Sequence, residues 1–295
     1  MRFHVRRGVC LLAAAISLAA CESNPTVPLP TGSGSGSSGG EPSVDVGGYS
    51  LSYECTGSGS PTVLLDAGLG TAGDDEFAGF LSSVAKLGVR ACTYDRAGVG
   101  LSGSRPTGDG LPTAATEADE LHALLEGSDI ETPVVYVPHS YAGLVARVFA
   151  DRYPEDVDGF VFEDVSTAWE IDLWPRWDDS PWIDGTKIDI DTTERQVLDA
   201  APLGDTPSVV VSQSTYDEEG IPKWAGPIFA RQQSKLAALG DDTIHVRADG
   251  SGHWIHEDRP DVLLRAISTV VDAVRSGEPL PSCEDAFAMP DATCV

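Results

Sequence analysis

Short apolar runs separated by amphipathic stretches recur from residue 44 onward, and their order is the first information in the chain. Residues 44–48 (VDVGG) and 49–55 (YSLSYEC) alternate apolar and polar positions like two antiparallel strands around a glycine turn. Residues 62–66 (TVLLD) form a continuous apolar strand running into 67–70 (AGLG), and a helix is predicted around 77–87. Residues 89–94 (VRACTY) are the next strand, ending in 95–102 (DRAGVGLS). Residues 116–125 place Ala118, Leu121, Leu124 and Leu125 on one helical face. Residues 133–137 (PVVYV) read as a buried strand, 140–152 as a helix stopped by Pro154, and 160–162 (FVF) as a further strand. The stretch 165–206 is irregular and holds Trp169, Trp174, Trp177 and Trp182. Late strands follow at 208–211 (SVVV) and 243–247 (TIHVR). Residues 261–275 then form a strongly amphipathic helix, with Pro260 at its start and Gly277 past its end. Strands alternating with helices predict an α/β domain around a mostly parallel sheet.

Residues 1–43 lack this alternation. Arg2, Arg6 and Arg7 precede an apolar stretch, Val9–Ala20, of signal-peptide length and too short to span a bilayer. It ends in Leu18, Ala19, Ala20 and Cys21, which resembles the lipobox of bacterial lipoproteins, where cleavage precedes the cysteine and lipid joins its thiol. An ordinary secretory signal cut at the small residues is the alternative. The expected organisation is a signal peptide at 1–20, a flexible Gly/Ser/Pro-rich tether at 21–43, a folded domain at 44–277 and a tail at 278–295. The tether's reach is roughly 25 Å. The expected location is the bacterial cell envelope, with Cys21 lipid-anchored to a membrane.

Composition narrows the partners. With 295 residues the chain can bury one large core. Its net charge of -27 repels phosphate backbones and disfavours anionic substrates, so no nucleic-acid partner is expected. Of six cysteines, Cys10 leaves with the signal and Cys21 carries lipid. Cys55, Cys92, Cys283 and Cys294 remain, an even set that predicts two disulfides with three possible connectivities. No pair has the short spacing of a zinc site.

Candidate chemistry centres on 134–143 (VVYVPHSYAG). A buried strand runs into Ser140 and a helix leaves it at once, the context of a nucleophile elbow, G-x-S-x-G. Ala142 supplies one of the two small residues such a turn needs, whereas Pro138 stands where glycine is usual. The plain alternative for Ser140 is a helix cap. An oxyanion hole requires two converging backbone N–H groups. Tyr141, after the serine, and Leu69, in the glycine-rich loop, are the candidates. Residues 251–260 (SGHWIHEDRP) carry His253 and His256 between a strand and the last helix, where an imidazole can serve as general base. His256, near the helix start, reads as packing or capping, and His245 and His122 as structural. His139 neighbours the serine, but at such an elbow its side chain turns away from it. The H-x-x-H spacing finds no third metal ligand, and Asp189 with Asp191 lacks the further spacing of a calcium loop.

Taken together, residues 65–70, 94–102, 138–143, 159–164 and 251–260 resemble the α/β-hydrolase superfamily over roughly 44–277, with 165–206 where that family carries its cap. The tryptophans there would either form an apolar mouth or pack the cap onto the core. The resemblance implies an α/β-hydrolase fold with helices on both faces of the sheet. It implies a serine hydrolase, carboxylesterase-like, acting without a cofactor on a small neutral acyl ester or amide. Ser140 is the implied nucleophile, His253 the base, and an acid lies between them in the chain. The family's usual acid follows the strand at 209–211, where 212–217 (SQSTYD) offers only Asp217, out of register. The earlier position is Asp164, the preferred assignment, with Glu163 beside it on the opposite side of the strand. The 95–96 pair reads as a structural loop. The resembled fold sets the second strand antiparallel beside the fourth, which implies a Cys55–Cys92 disulfide and leaves Cys283–Cys294. A non-catalytic envelope binding module that kept the fold is the competing reading, with Pro138 in its favour.

Overall fold

The computed structural model describes residues 42–108, 110–169, 188–216 and 224–295. The signal peptide, Cys21, nearly all of the tether, Trp174, Trp177, Trp182 and Asp217 lie outside the described residues. In chain order the elements are β1 (Ser43–Asp45), β2 (Ser50–Gly57), β3 (Thr62–Asp66), α1 (Gly73–Glu76), α2 (Phe80–Ala85) and β4 (Arg90–Tyr94). Then come α3 (Ala114–Gly127), β5 (Val134–Pro138), α4 (Ala142–Arg152), β6 (Val157–Glu163), α5 (Ile190–Asp199), β7 (Ser208–Gln213) and α6 (Gly226–Ala237). The chain closes with β8 (Thr243–Ala248), α7 (Ile255–Asp258), α8 (Pro260–Ser276), α9 (Cys283–Ala286) and β9 (Ala292–Cys294).

These strands form one sheet in the order β1-β2-β4-β3-β5-β6-β7-β8-β9. From β4 to β8 every pairing is parallel; β1 and β2 at one edge and β9 at the other are antiparallel. Every residue of β3, β5 and β7 is buried, which is why they read as unbroken apolar runs. Strand alternation divides them between two cores. Val63, Leu65, Val135, Val137, Val209 and Val211 pack with Val84 of α2 and with Leu263, Ile267 and Val271 of α8. Leu64, Tyr136, Phe160, Phe162 and Val210 pack on the opposite face with Leu121 and Leu124 of α3 and Leu144 of α4.

Four departures from the sequence reading have physical causes. The helix expected around 77–87 is shorter, α2 at Phe80–Ala85, because Gly79, whose φ of 79° lies in the left-handed region, sets its start; α1 is a separate turn that precedes it. The irregular stretch contains α5, a short and mostly polar helix whose apolar residues are Ile190, Val197 and Leu198 and which buries only Thr193 and Val197. Asp189 caps it, accepting from Thr192 N at 3.0 Å and Thr192 Oγ1 at 2.8 Å. Helix α6 buries Gln232 and Gln233 where an apolar face would have been legible. The tail is not separate from the domain: β9 adds a strand to β8. Cys283 and Cys294 bond α9 to β9 with Cα atoms 5.9 Å apart. Cys55 and Cys92 bond across β2 and β4, directly opposed at a Cα separation of 4.1 Å. No helix among the described residues is long and apolar enough to cross a membrane.

Candidate active site

The C-terminal ends of β3, β5, β6 and β7 converge on Ser140. β5 delivers it, α4 leaves two residues later, and the serine adopts a φ of 53°, a conformation that strains an L-residue. Hydrogen bonds on three sides impose it. Ser140 N donates to Glu163 O at 3.2 Å, while Ser140 O accepts from Gly143 N at 3.0 Å and from Ser166 N at 2.8 Å. Gly143 has to be glycine, since a Cβ there would lie 2.3 Å from Val165 Cβ. Pro138 is also accommodated. It has no N–H to give β6, and the regular β5–β6 pairing stops at Tyr136 and resumes as one bridge, His139 with Glu163.

Beside the elbow lie three carboxylate–imidazole pairs. Asp164, at a φ of 39°, holds His253 Nδ1 with Oδ2 at 2.7 Å. Two further donors fix that carboxylate, Gln213 N to Oδ1 at 3.0 Å and Gln213 Nε2 to Oδ2 at 2.8 Å. Strand β7 thus braces the Asp164 carboxylate through its last residue. Glu163, on the other side of β6, accepts from both His256 N and His256 Nδ1 at 2.7 Å. Burial draws the His256 imidazole down, but Glu163 and then Glu76 outweigh it and leave its pKa above the ordinary histidine value. The third pair was not legible in the sequence. Glu76 Oε1 meets His139 Nδ1 at 2.6 Å, and His139 Nε2 meets the carbonyl of His253 at 3.1 Å. Burial raises the Glu76 carboxyl, and His139 with the Gly68 N–H more than reverses this, so its pKa sits below the usual value. The His139 and His253 rings lie with centroids 4.6 Å apart, tilted by 41° to one another.

The glycine-rich loop packs against the serine: a Cβ on Gly68 would lie 3.5 Å from Ser140 Cβ. Gly68 N donates to both oxygens of Glu76, at 3.0 and 2.9 Å. Among the described residues, no protein acceptor takes the backbone N–H of Leu69 or of Tyr141. Tyr141 also stands at the N-terminus of α4, where the helix dipole favours negative charge. The two other histidines among the described residues have other partners. His122 Nδ1 meets Asp156 at 2.7 Å, and His245 Nε2 meets Ser212 Oγ at 3.0 Å. Among the described residues no group of three or more His, Cys, Asp or Glu is arranged to hold a metal ion. A serine on a strained elbow, an imidazole oriented by a carboxylate and two backbone donors without protein acceptors are the parts acyl transfer uses.

Glu76 and Gln213 escaped the sequence reading, and His139 was read there only as turned away from the serine, with no partner assigned. Glu76 ends an acidic run, 74–76 (DDE), in an acidic chain, and nothing local marks it. The chain is 26% identical over 238 residues to an uncharacterised protein, YqjL, of Bacillus subtilis strain 168, covering 72% of this chain and 85% of that one. It is similar in structure to a serine hydrolase involved in carbazole degradation, CarC, with a TM-score of 0.57 and 17% identity over 79% of this chain and 98% of that one. A haloalkane dehalogenase variant from Bradyrhizobium elkanii matches with a TM-score of 0.60 and 16% identity, over 80% and 97% of the two chains. The family described as having the alpha/beta hydrolase fold matches residues 61–218, more than half of the chain, and the protein therefore belongs to the α/β-hydrolase family.

Proposed function

We propose that the protein is a serine hydrolase acting on small neutral acyl esters or amides. The Asp164–His253 bond of 2.7 Å carries this reading, because it supports Asp164 as the acid among the three that the sequence left open. With Nδ1 turned to Asp164, the imidazole acts through Nε2. Ser140 Oγ attacks the acyl carbon as its proton passes to His253, and the N–H groups of Leu69 and Tyr141 receive the oxyanion. The imidazolium then protonates the leaving alcohol or amine. Water, deprotonated by the same imidazole, releases the acid and restores the serine. The pairing gives Asp164 its task of holding the tautomer and stabilising the imidazolium. A fluorophosphonate probe should label Ser140 in the wild-type protein and leave Ser140→Ala unlabelled; a panel of nitrophenyl esters then ranks chain length. An unlabelled wild-type protein would sink the reading.

The enzyme works in this proposal as a lipoprotein of the bacterial envelope, anchored through Cys21 and leashed by residues 22–43. The Arg-rich start, the short apolar stretch and the terminal cysteine support it. Cys21→Ser should release the protein from membranes; retention there would refute the anchor.

A further inference from the structure

Building on the proposed role of the Leu69 N–H, we propose that Arg96 is a positioning residue that sets the oxyanion hole before substrate arrives. Residues 95–96 read from the sequence as part of a structural loop, yet the Arg96 guanidinium reaches into the site. Its Nη2 donates to the carbonyl oxygen of Gly68, and its Nη1 to the Asp66 carboxylate. The group also lies over the ring of Tyr141, 5.5 Å from its centroid. One buried side chain therefore engages the peptide whose other end is the Leu69 N–H and lies over the ring of Tyr141.

The mechanism follows from peptide geometry. The Gly68 carbonyl and the Leu69 N–H belong to one planar trans peptide, so they point in opposite directions. Gly68 has no side chain to resist rotation of that plane. If the peptide turned over, a carbonyl would face the place where negative charge develops, and the hole would become repulsive. Arg96 opposes this turn by engaging the carbonyl, with Thr71 N adding a longer contact at 3.5 Å. From the other side, the two Gly68 N–H contacts to Glu76 hold the preceding peptide. Gly68 is thus gripped at both its N–H and its C=O by charged groups.

The grip itself is anchored. Asp66 is fully buried and also accepts from Tyr136 OH at 2.6 Å and Tyr94 OH at 3.0 Å. Arg96 is buried too, with Glu117 3.9 Å from its Nε. A guanidinium can fork between Asp66 and the Gly68 carbonyl, whereas an ammonium offers a single point of charge.

Arg96→Ala strips Asp66 of its partner, so a loss there could reflect misfolding. Arg96→Lys keeps a cation for Asp66 and removes the fork. The assay compares wild type with Arg96→Lys for kcat and KM on a nitrophenyl ester and for affinity toward a trifluoromethyl ketone, whose adduct places an oxyanion in the hole. The expected result is a fall in kcat and in ketone affinity by the same factor, roughly 10- to 100-fold, with KM within about twofold of wild type. A variant that keeps kcat and ketone affinity, or one that changes KM alone, overturns the positioning role while wild-type fluorophosphonate labelling still upholds Ser140. If the wild-type protein fails to label, the serine hydrolase reading falls and the role of Arg96 falls with it.

Discussion

The two flanks of Ser140 are built from different ionic chemistry. On the side of β6, β7 and the loop before α7, the pairs are carboxylate with imidazole: Asp164–His253 and Glu163–His256. On the side of β3, β4 and α3, they are carboxylate with guanidinium: Asp66–Arg96, Glu117–Arg105 and Glu120–Arg105. Burial opposes the charge of Arg96, but Asp66 and Glu117 outweigh it and hold its pKa well above the ordinary value. Burial and the adjacent Asp66 push the phenols of Tyr94 and Tyr136 well above theirs, so both remain O–H donors. Tyr49, half-buried against Glu120, is pushed up to about 12. Moving a proton requires a group that titrates near the working pH, and holding a peptide in place requires one that does not. The Glu76–His139 pair joins the flanks, since its ends reach Gly68 N and the His253 carbonyl.

Substitutions on the imidazole flank would break this contrast most severely. Asp164→Asn should lower kcat by up to ~10⁴-fold, with little change in melting temperature, because the tautomer is lost and the shape is kept. His253→Ala should cost about 10²- to 10⁴-fold in kcat. His256→Gln should fall well short of that, since His256 bonds Glu163 and packs edge-on against Phe77 at 5.1 Å. Ester hydrolysis across the series checks the order. Equal losses at the two histidines would mean that the flank acts as one unit, and a collapse in Asp217→Asn with an active Asp164→Asn would move the acid to the later loop.

A smaller effect separates the flanks by pH. Burial holds His245, beside Ser212 on the imidazole flank, down at about 4. The unfolded chain takes up that proton near pH 6.5 and the folded one only near 4. Stability should therefore be unaffected above about 6.5, fall between 6.5 and 4, and level off below, a loss of roughly 3 kcal/mol. His256 contributes with the opposite sign. Its raised value adds stability in full below about 6.5, and that part fades as pH rises through the folded pKa. Urea midpoints of wild type and His245→Gln across pH 4–8 check this. An unchanged acid slope in His245→Gln would place the loss elsewhere.

Much of the fold was legible because its cause is local. Apolar runs long enough to be buried on both faces identified β3, β5 and β7, and Gly277 past the end of α8 takes the left-handed φ of 68° that stops a helix. α6 and β9 escaped because their burial is mixed or slight, and α5 because it is short and mostly polar, with only Thr193 and Val197 buried.

The candidate site divides along the same line. The strand-to-helix sequence around Ser140 determined an elbow, and alternation along β6 determined that Glu163 and Asp164 point to opposite sides. Neither pattern states which histidine each acid meets. That depended on β7 placing Gln213 against Asp164 and on β8 and α7 bringing His253 and His256 back over the sheet. Glu76, His139 and Arg96 came to one glycine from three separate elements. Period and propensity describe neighbours a few residues apart, whereas a hydrogen bond between residues 63 or 89 positions apart exists only once the sheet has closed.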